Sequence, residues 1–190
     1  AAGTVASAVR LGACEACVAG TYQNDTGATE CKRCPDGYYC AVGAAAPLPC
    51  PGGTTKNTSL EVMTSVEQCI VCPEGTFCPV GSAAATDCSA GTFNNQPQRE
   101  ACEPCAAGYY QDQTGKSACI KCNPGSYCPQ GSSIELMANC ERGTYANSTD
   151  ADGHPQCFDC TPGHYCAGGA SPQLACSPGS YANTTRRHEC

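Results

Sequence analysis

Large apolar side chains are scarce in this sequence of 190 residues. It contains no Trp and only 3 Phe, and Leu, Ile, Val and Phe together number 19. So few large apolar residues cannot bury enough surface to offset the conformational entropy that folding removes. No segment approaches the roughly 18 consecutive apolar residues of a membrane-spanning helix, so direct membrane insertion is not expected.

Basic residues are also few, with 10 Lys and Arg against 17 Asp and Glu and a net charge of −7. No basic patch stands out, which argues against nucleic acid or an anionic membrane as a partner. No histidine shares a motif with a candidate nucleophile, and the acidic residues are spread singly. General acid–base or nucleophilic catalysis needs such groups together. The sequence therefore predicts no enzyme, no catalytic residue and no cofactor.

Cysteine is abundant instead, at 21 residues, which is the density of a disulfide scaffold. A disulfide that closes a loop of about 15 residues contributes about 3 kcal/mol in the chain-entropy description. Ten such bonds would replace a hydrophobic core. Because disulfides persist in oxidising compartments, we expect a secreted, extracellular or cell-surface protein.

The cysteines repeat with a period of 88 residues. CxxC pairs begin, at intervals of 17, 38 and 33 residues that recur in the same order, at Cys14, Cys31, Cys69, Cys102, Cys119 and Cys157. A further step of 33 reaches Cys190. We therefore predict that residues 1–13 end a preceding repeat, 14–101 and 102–189 are full repeats, and 190 begins a third. The odd cysteine count then reflects where the periodic chain is cut, and a cysteine is expected before Ala1.

A shorter pattern, Cys-x-x-Gly-x-aromatic, recurs inside the period. Glycine in this place suits a turn with positive φ, and "NPGS" and "TPGH" carry the residues of a type II turn. The aromatic residue is expected to shield a disulfide. The predicted fold is small and disulfide-rich, an elongated tandem array of knotted modules with short β-hairpins and little helix. Only residues 59–69 have helical composition, and a loop is an equal alternative there.

Spacing suggests a pairing scheme of simple loops and crossed four-cysteine knots, although spacing alone does not determine connectivity. The predicted bonds are Cys17–Cys31, Cys34–Cys50, Cys40–Cys69, Cys72–Cys88, Cys78–Cys102, Cys105–Cys119, Cys122–Cys140, Cys128–Cys157, Cys160–Cys176 and Cys166–Cys190. Cys14 is left unpaired within the chain, with its partner upstream of Ala1. The spacing of Cys14, Cys17, Cys31 and Cys34 also matches a zinc ribbon. Cysteine density and the oxidising compartment favour disulfides, and no metal site is predicted.

The units "CxxCPxGYYC" and "CxxCxxGTYQxxTGxxxC" resemble the ephrin-receptor-like cysteine-rich repeat, a module similar in appearance to tumour-necrosis-factor-receptor and EGF-like modules. The resemblance extends from the Gly3 turn to Cys190. It implies extended rods of disulfide-knotted modules. Such repeats occur in receptor ectodomains, in secreted matrix-like proteins and in surface proteins of protists and algae, including mastigoneme-like proteins that coat flagellar hairs.

Asn-x-Ser/Thr sequons occur seven residues after a turn cysteine, at Asn24, Asn57, Asn147 and Asn183. One interpretation is N-glycosylation, with sugars projecting from a regular position. The other is a loop position that favours Asn or Asp for its backbone conformation, because Asn95 and Asp112 share the offset without a sequon.

Two functions compete. The first is a structural repeat segment of an extracellular glycoprotein that builds a filament, appendage or surface coat, with further copies of itself or other chains as partners. The second is a ligand-binding cysteine-rich receptor ectodomain. Recognition would then lie in the stretch where the two copies differ most, "KNTSLEVMTSVEQ" against "ANSTDADGHPQ".

Overall fold

The computed structural model describes residues 1–6, 14–123, 126–149, 155–169 and 172–190. Within these ranges the chain forms ten antiparallel two-stranded hairpins and a single turn of 3-10 helix. The predicted fold class is confirmed as a small disulfide-rich tandem array of hairpins. No helix in the described part of the chain has the length and apolar character to cross a bilayer.

Most strands are two residues long. In chain order they are β1 (Thr4–Val5), β2 (Glu15–Ala16), β3 (Thr21–Tyr22), β4 (Lys32–Arg33), β5 (Tyr38–Tyr39), β6 (Leu48–Pro49), β7 (Thr54–Thr55), β8 (Ile70–Val71), β9 (Thr76–Phe77), β10 (Thr86–Asp87), β11 (Thr92–Phe93), β12 (Glu103–Pro104), β13 (Tyr109–Tyr110), β14 (Ile120–Lys121), β15 (Ser126–Tyr127), β16 (Leu136–Met137), β17 (Thr144–Thr149), β18 (Pro155–Asp159), β19 (His164–Tyr165) and β20 (Leu174–Ala175). Each odd-numbered strand pairs with the even-numbered strand that follows it.

The chain divides into two compact units. The first contains Ala1–Cys88 and Asn94–Cys102, and therefore hairpins β1–β2 to β9–β10. The second contains Ser89–Phe93 and Glu103–Cys190, with the remaining five hairpins. The limits of the 88-residue repeats concern the sequence period and stay a prediction, and residues 7–13 of the first segment lie outside the described residues.

The turn that starts each hairpin follows the predicted chemistry. In "TPGH", Pro162 and Gly163 are the central residues, Gly163 has φ +83°, and the His164 N–H donates to the Thr161 carbonyl at 3.1 Å. This is a type II turn, in which the third residue needs positive φ and glycine provides it without strain. In "NPGS" the Ser126 N–H donates to the Asn123 carbonyl at 3.0 Å, while Pro124 and Gly125 lie outside the described residues.

Cysteines are the most numerous buried residues in the described part of the chain. Among described residues, the fully buried side chains are cysteines with one exception, Met63, which is 1% exposed. Large apolar residues such as Val42 and Met137 are instead 70% and 74% exposed. The residues at the predicted aromatic position are half-buried, apart from Tyr181 at 75% exposure. Their shielding of particular disulfides stays a prediction.

Ten disulfides connect twenty cysteines, and they are of two kinds. Four bonds join cysteines six residues apart, namely Cys34–Cys40, Cys72–Cys78, Cys122–Cys128 and Cys160–Cys166. Six bonds span 14 to 19 residues, namely Cys17–Cys31, Cys50–Cys69, Cys88–Cys102, Cys105–Cys119, Cys140–Cys157 and Cys176–Cys190. Each bond's first cysteine begins a segment that we call a module. A segment that begins with a six-residue bond is a short-bond module, and one that begins with a bond of 14 to 19 residues is a long-bond module.

The crossed pairs predicted from spacing are wrong, whereas Cys17–Cys31, Cys105–Cys119 and the free Cys14 occur in the structure as expected. The bonds that do not form are Cys34–Cys50, Cys40–Cys69, Cys72–Cys88, Cys78–Cys102, Cys122–Cys140, Cys128–Cys157, Cys160–Cys176 and Cys166–Cys190.

The type II turn explains the difference. In the first short-bond module the turn over Pro35–Tyr38 follows Cys34 directly, and the Tyr38 N–H donates to the Pro35 carbonyl at 3.2 Å. The chain reverses there, which places the Cα atoms of Cys34 and Cys40 6.0 Å apart. This separation lies within the reach of a disulfide. Cys50 then remains for Cys69, and no loops cross.

The two copies differ most where the sequences do. In the first copy, residues 59–69 form irregular structure with one 3-10 turn at Val66–Gln68, so the loop alternative holds over most of the stretch. In the second copy the equivalent hairpin is lengthened into β17 and β18, with an irregularity between Ala146 and Ser148.

Candidate functional site

The repeated contact in this molecule is the junction between one module and the next. At one such junction, the turn glycine Gly20 donates its N–H to the Cys40 carbonyl at 2.8 Å, and the Gly20 carbonyl accepts from the Cys34 N–H at 2.9 Å. Both Cys34 and Cys40 belong to the following module. Two backbone hydrogen bonds therefore connect Gly20 to the following module and use both of its main-chain polar groups.

The same pair of bonds recurs inside both compact units. The glycine N–H donates to the following module in Gly53–Cys78, Gly75–Asn94, Gly91–Gln111, Gly108–Cys128, Gly143–Cys166 and Gly163–Ala182. The return bond runs to the glycine carbonyl in Cys72–Gly53, Cys88–Gly75, Cys105–Gly91, Cys122–Gly108, Cys160–Gly143 and Cys176–Gly163. Main-chain atoms make every one of these bonds, so no particular side chain is needed to form them.

The accepting carbonyl always belongs to the sixth residue after a turn cysteine, which we call the anchor position. In short-bond modules the anchor is the second cysteine of the disulfide, as at Cys40. In long-bond modules another residue occupies it, and Gln23, Asn94 and Gln111 are 2%, 2% and 3% exposed. The anchor position is thus occupied by a buried cysteine in short-bond modules. In long-bond modules it is usually occupied by a buried amide or alanine.

The buried amides pair with the backbone of their own loops. The Gln23 Nε2 donates to the Glu30 carbonyl at 2.6 Å, and the Gln23 Oε1 accepts from the Asp25 N–H at 3.0 Å. The Gln111 side chain makes the equivalent bonds to Ala118 and Gln113, at 2.6 and 3.1 Å. These bonds satisfy polar groups whose burial would otherwise cost free energy.

Asn94 differs in that its Nδ2 donates to the Thr76 carbonyl of the preceding module at 2.6 Å. Lys56 is half-buried at its anchor position, and its Nζ lies 2.6 Å from Asp36 Oδ1. The hydrogen bond and the positive charge of Lys56 lower the pKa of Asp36. Both contacts add a side-chain connection to the backbone junction.

Sequence reasoning missed the anchors. The signal that could have found them is the constant offset of six residues from the turn cysteine. Cysteine occupies that position in four modules, and an amide or alanine occupies it in most others. A glutamine among Asn, Asp and Thr gives no indication of burial, because its surroundings in the sequence are polar. In the structure the Gln23 side chain bonds within its own loop, and only its main-chain atoms bond to neighbouring modules.

The predicted sequons follow the anchor by one residue. Asn24 and Asn183 are exposed and Asn57 is half-buried. The backbone of Asn147 lies in β17, and its side chain is outside the described residues. Whether sugars are attached stays a prediction.

The four cysteines with zinc-ribbon spacing do not form a cluster of free thiols. Cys17 and Cys31 are bonded to each other and Cys34 to Cys40, so these three have no thiolate for a metal. Cys14 is exposed. In the other five CxxC pairs, the first cysteine ends one module's disulfide and the second begins the next. No group of three metal-ligating side chains occurs in the part of the chain that the structure describes.

Two segments match the family model described as "Tyrosine-protein kinase ephrin type A/B receptor-like", at residues 3–47 and 91–135. Their starting points are one 88-residue period apart. No curated protein matches the chain. Each matched segment includes two hairpins, two complete disulfides and the junction between a long-bond and a short-bond module. Repeats of this type are extracellular, non-catalytic modules. Residues 3–47 and 91–135 of this chain are therefore ephrin-receptor-like cysteine-rich repeats.

Proposed function

We propose that this chain is a structural repeat segment of an extracellular glycoprotein that builds a filament, an appendage or a surface coat. The family supports the extracellular placement. The scarcity of large apolar residues supports a molecule that is held together covalently and tolerates exposure to solvent on most of its surface.

The observation that carries the proposal is the repeated backbone junction. The Gly20–Cys40 and Cys34–Gly20 bonds have counterparts in both units, made by the same main-chain atoms at distances of 2.7 to 3.0 Å. Modules that contact mainly their neighbours give approximately additive stability, and copies can be added without a new kind of contact. This is the property that a load-bearing or surface-covering array requires.

Partners of the same kind fit the proposal best. A head-to-tail contact that does not close into a ring produces a fibre. The net charge of −7 and the shortage of basic residues do not favour nucleic acid. We therefore propose further copies of this chain, or other chains of the same assembly, as partners.

Electron microscopy of the native material tests this function. Fibres or a continuous coat, labelled along their length by an antibody to this chain, are the expected result. Reduction and alkylation of the same material should dissolve the labelled structures. Isolated, labelled monomers on a cell membrane would contradict the structural role and favour the ligand-binding ectodomain.

A further inference from the structure

We propose that the residue after the anchor in long-bond modules is a common N-glycan acceptor position, and that Asp112 is an acceptor site lacking only its amide. The inference rests on the proposed function, since it requires a secreted glycoprotein. It goes further by stating which module type carries sugars and why.

The two neighbouring positions differ in burial. Gln23 faces inward and is 2% exposed, whereas Asn24 is exposed. The same contrast holds for Ala182, at 4%, and the exposed Asn183. A bulky sugar on the outer residue therefore projects into solvent without disturbing the anchor or its junction bonds.

The asparagine atom to which a sugar is attached is not the atom that makes the local hydrogen bonds. The Lys32 Nζ donates to Asn24 Oδ1 at 2.6 Å, and the Ser59 N–H donates to Asn57 Oδ1 at 3.0 Å. Glycosylation instead uses Nδ2. Nδ2 attacks C1 of the first sugar of a lipid-diphosphate-linked oligosaccharide, the N–C1 bond forms and the C1–O bond to phosphate breaks. The amide loses one proton, and the lipid diphosphate leaves.

Short-bond modules do not offer this position. There the residue after the anchor cysteine is Ala or Pro, at Ala41, Pro79, Pro129 and Ala167. In long-bond modules it is Asn or Asp in every case, at Asn24, Asn57, Asn95, Asp112, Asn147 and Asn183. The disulfide type and the acceptor position thus vary together along the chain.

Asp112 occupies the same local structure as Asn24. The preceding anchors, Gln111 and Gln23, bond to a carbonyl seven residues later at 2.6 Å in both loops. Each also accepts the N–H of the residue two positions on. Asp112, Gln113 and Thr114 are all exposed. Asp112→Asn therefore creates Asn-Gln-Thr in a loop built like Asn24-Asp25-Thr26.

The test is expression of the chain and of Asp112→Asn in a eukaryotic cell line that secretes and N-glycosylates proteins. We expect Asp112→Asn to gain one glycan, seen as slower gel migration that peptide-N-glycosidase abolishes. Peptide mass spectrometry should place it at residue 112. The matched control is Asp112→Asn combined with Thr114→Ala, which has the same amide but no sequon and should carry no glycan there. Asn95, followed by Gln96 and Pro97, serves as an internal control without a sequon and should remain unmodified.

The possible failures are distinguishable. Glycans on Asn24 and Asn183 but none on residue 112 of the variant would overturn the common acceptor position and leave the glycoprotein proposal standing. No glycan on any sequon of the secreted chain would overturn both. Neither result bears on the fibres sought by microscopy, so the structural role is judged separately.

Discussion

The sulfur of Cys34 is bonded to that of Cys40, whose backbone carbonyl also accepts the N–H of Gly20 from the preceding module. A single residue thus closes its own turn and forms the contact to its neighbour. In the long-bond modules other than that of Lys56, an amide or alanine occupies the buried position, and the disulfide closes the far end of the loop. The array is therefore built from two solutions to one packing requirement.

Removal of the two disulfide types is expected to differ in cost. Replacing both cysteines of Cys72–Cys78 by alanine should lower the free energy of unfolding by about 2 kcal/mol, and replacing both of Cys88–Cys102 by about 3 kcal/mol, because the second loop is longer. The sequence separations are 6 and 14 residues. Urea unfolding of the oxidised proteins measures both. A non-reducing peptide map provides the control, and a Cys72–Cys88 peptide in the unaltered chain would contradict the pairing.

Gly91→Ala should destabilise the protein more than Gly163→Ala. Both glycines have positive φ, +84° and +83°, which costs an alanine about 1 kcal/mol. A methyl group on Gly91 would also overlap the carbonyl oxygen of Gly131, whereas nothing lies within 4 Å of one on Gly163. We expect an additional cost of about 1–3 kcal/mol at Gly91. Thermal unfolding under oxidising conditions compares the two, and equal losses would show that the backbone there accommodates the methyl.

Gln98→Gly should stabilise the protein. Gln98 has φ +62°, the left-handed conformation in which a side chain is strained, and the equivalent residues Gly27 and Gly115 are glycines with φ +77° and +70°. Glycine removes the strain but loses more entropy on folding, so we expect a net gain of about 0.5–1 kcal/mol. Its N–H would still donate to the Cys72 carbonyl, at 2.9 Å in the structure. Gln98→Ala is the control and should give no gain in the unfolding midpoint.

Gln111→Ala should cost about 1–3 kcal/mol, because it removes the partner of the Ala118 carbonyl and of the Gln113 N–H. The loop from Asp112 to Ala118 should lose protection against amide hydrogen exchange. Gln113→Ala, at an exposed position next to it, is the matched control and should change little. Unchanged protection in Gln111→Ala would mean that the buried amide does not hold the loop.

Asp36 should titrate below its ordinary value of 3.8, because Lys56 donates a hydrogen bond to it and adds a favourable charge. A carboxyl with a lowered folded-state pKa contributes stability above its unfolded-state pKa. That contribution is lost as pH falls through the folded value. Carboxyl carbon NMR measures the titration. Lys56→Met should return the pKa of Asp36 towards 3.8, whereas Lys116→Met should not.

The turns and the sulfur-filled interior could be predicted from the sequence because both depend on local chemistry. Gly163 has positive φ since a Pro-Gly pair permits few other turns. A chain with so few large apolar residues has no other material for a core. These features are specified within a few residues and can be inferred without knowing the neighbouring modules.

The disulfide partners and the anchors could not be predicted in the same way. Whether Cys34 meets Cys40 or Cys50 depends on how sharply the chain reverses, and spacing does not report that. Gln23 is buried, its side chain bonds to the Glu30 carbonyl of its own loop, and its N–H donates to the Ala44 carbonyl of the following module. The sequence near it is polar and indicates a solvated turn. The disulfide partners and the buried anchors both depend on how the chain folds back on itself.

Because main-chain atoms of a glycine, an anchor and a turn cysteine make the junction bonds, no exposed side chain is needed to form them. A gene that duplicated or lost one whole module would join the new neighbours through the same donors and acceptors. Such a chain can change its length in evolution by unequal recombination, and its outward residues can diversify almost freely. Selection must preserve the spacing of the cysteines and the glycine in the turn.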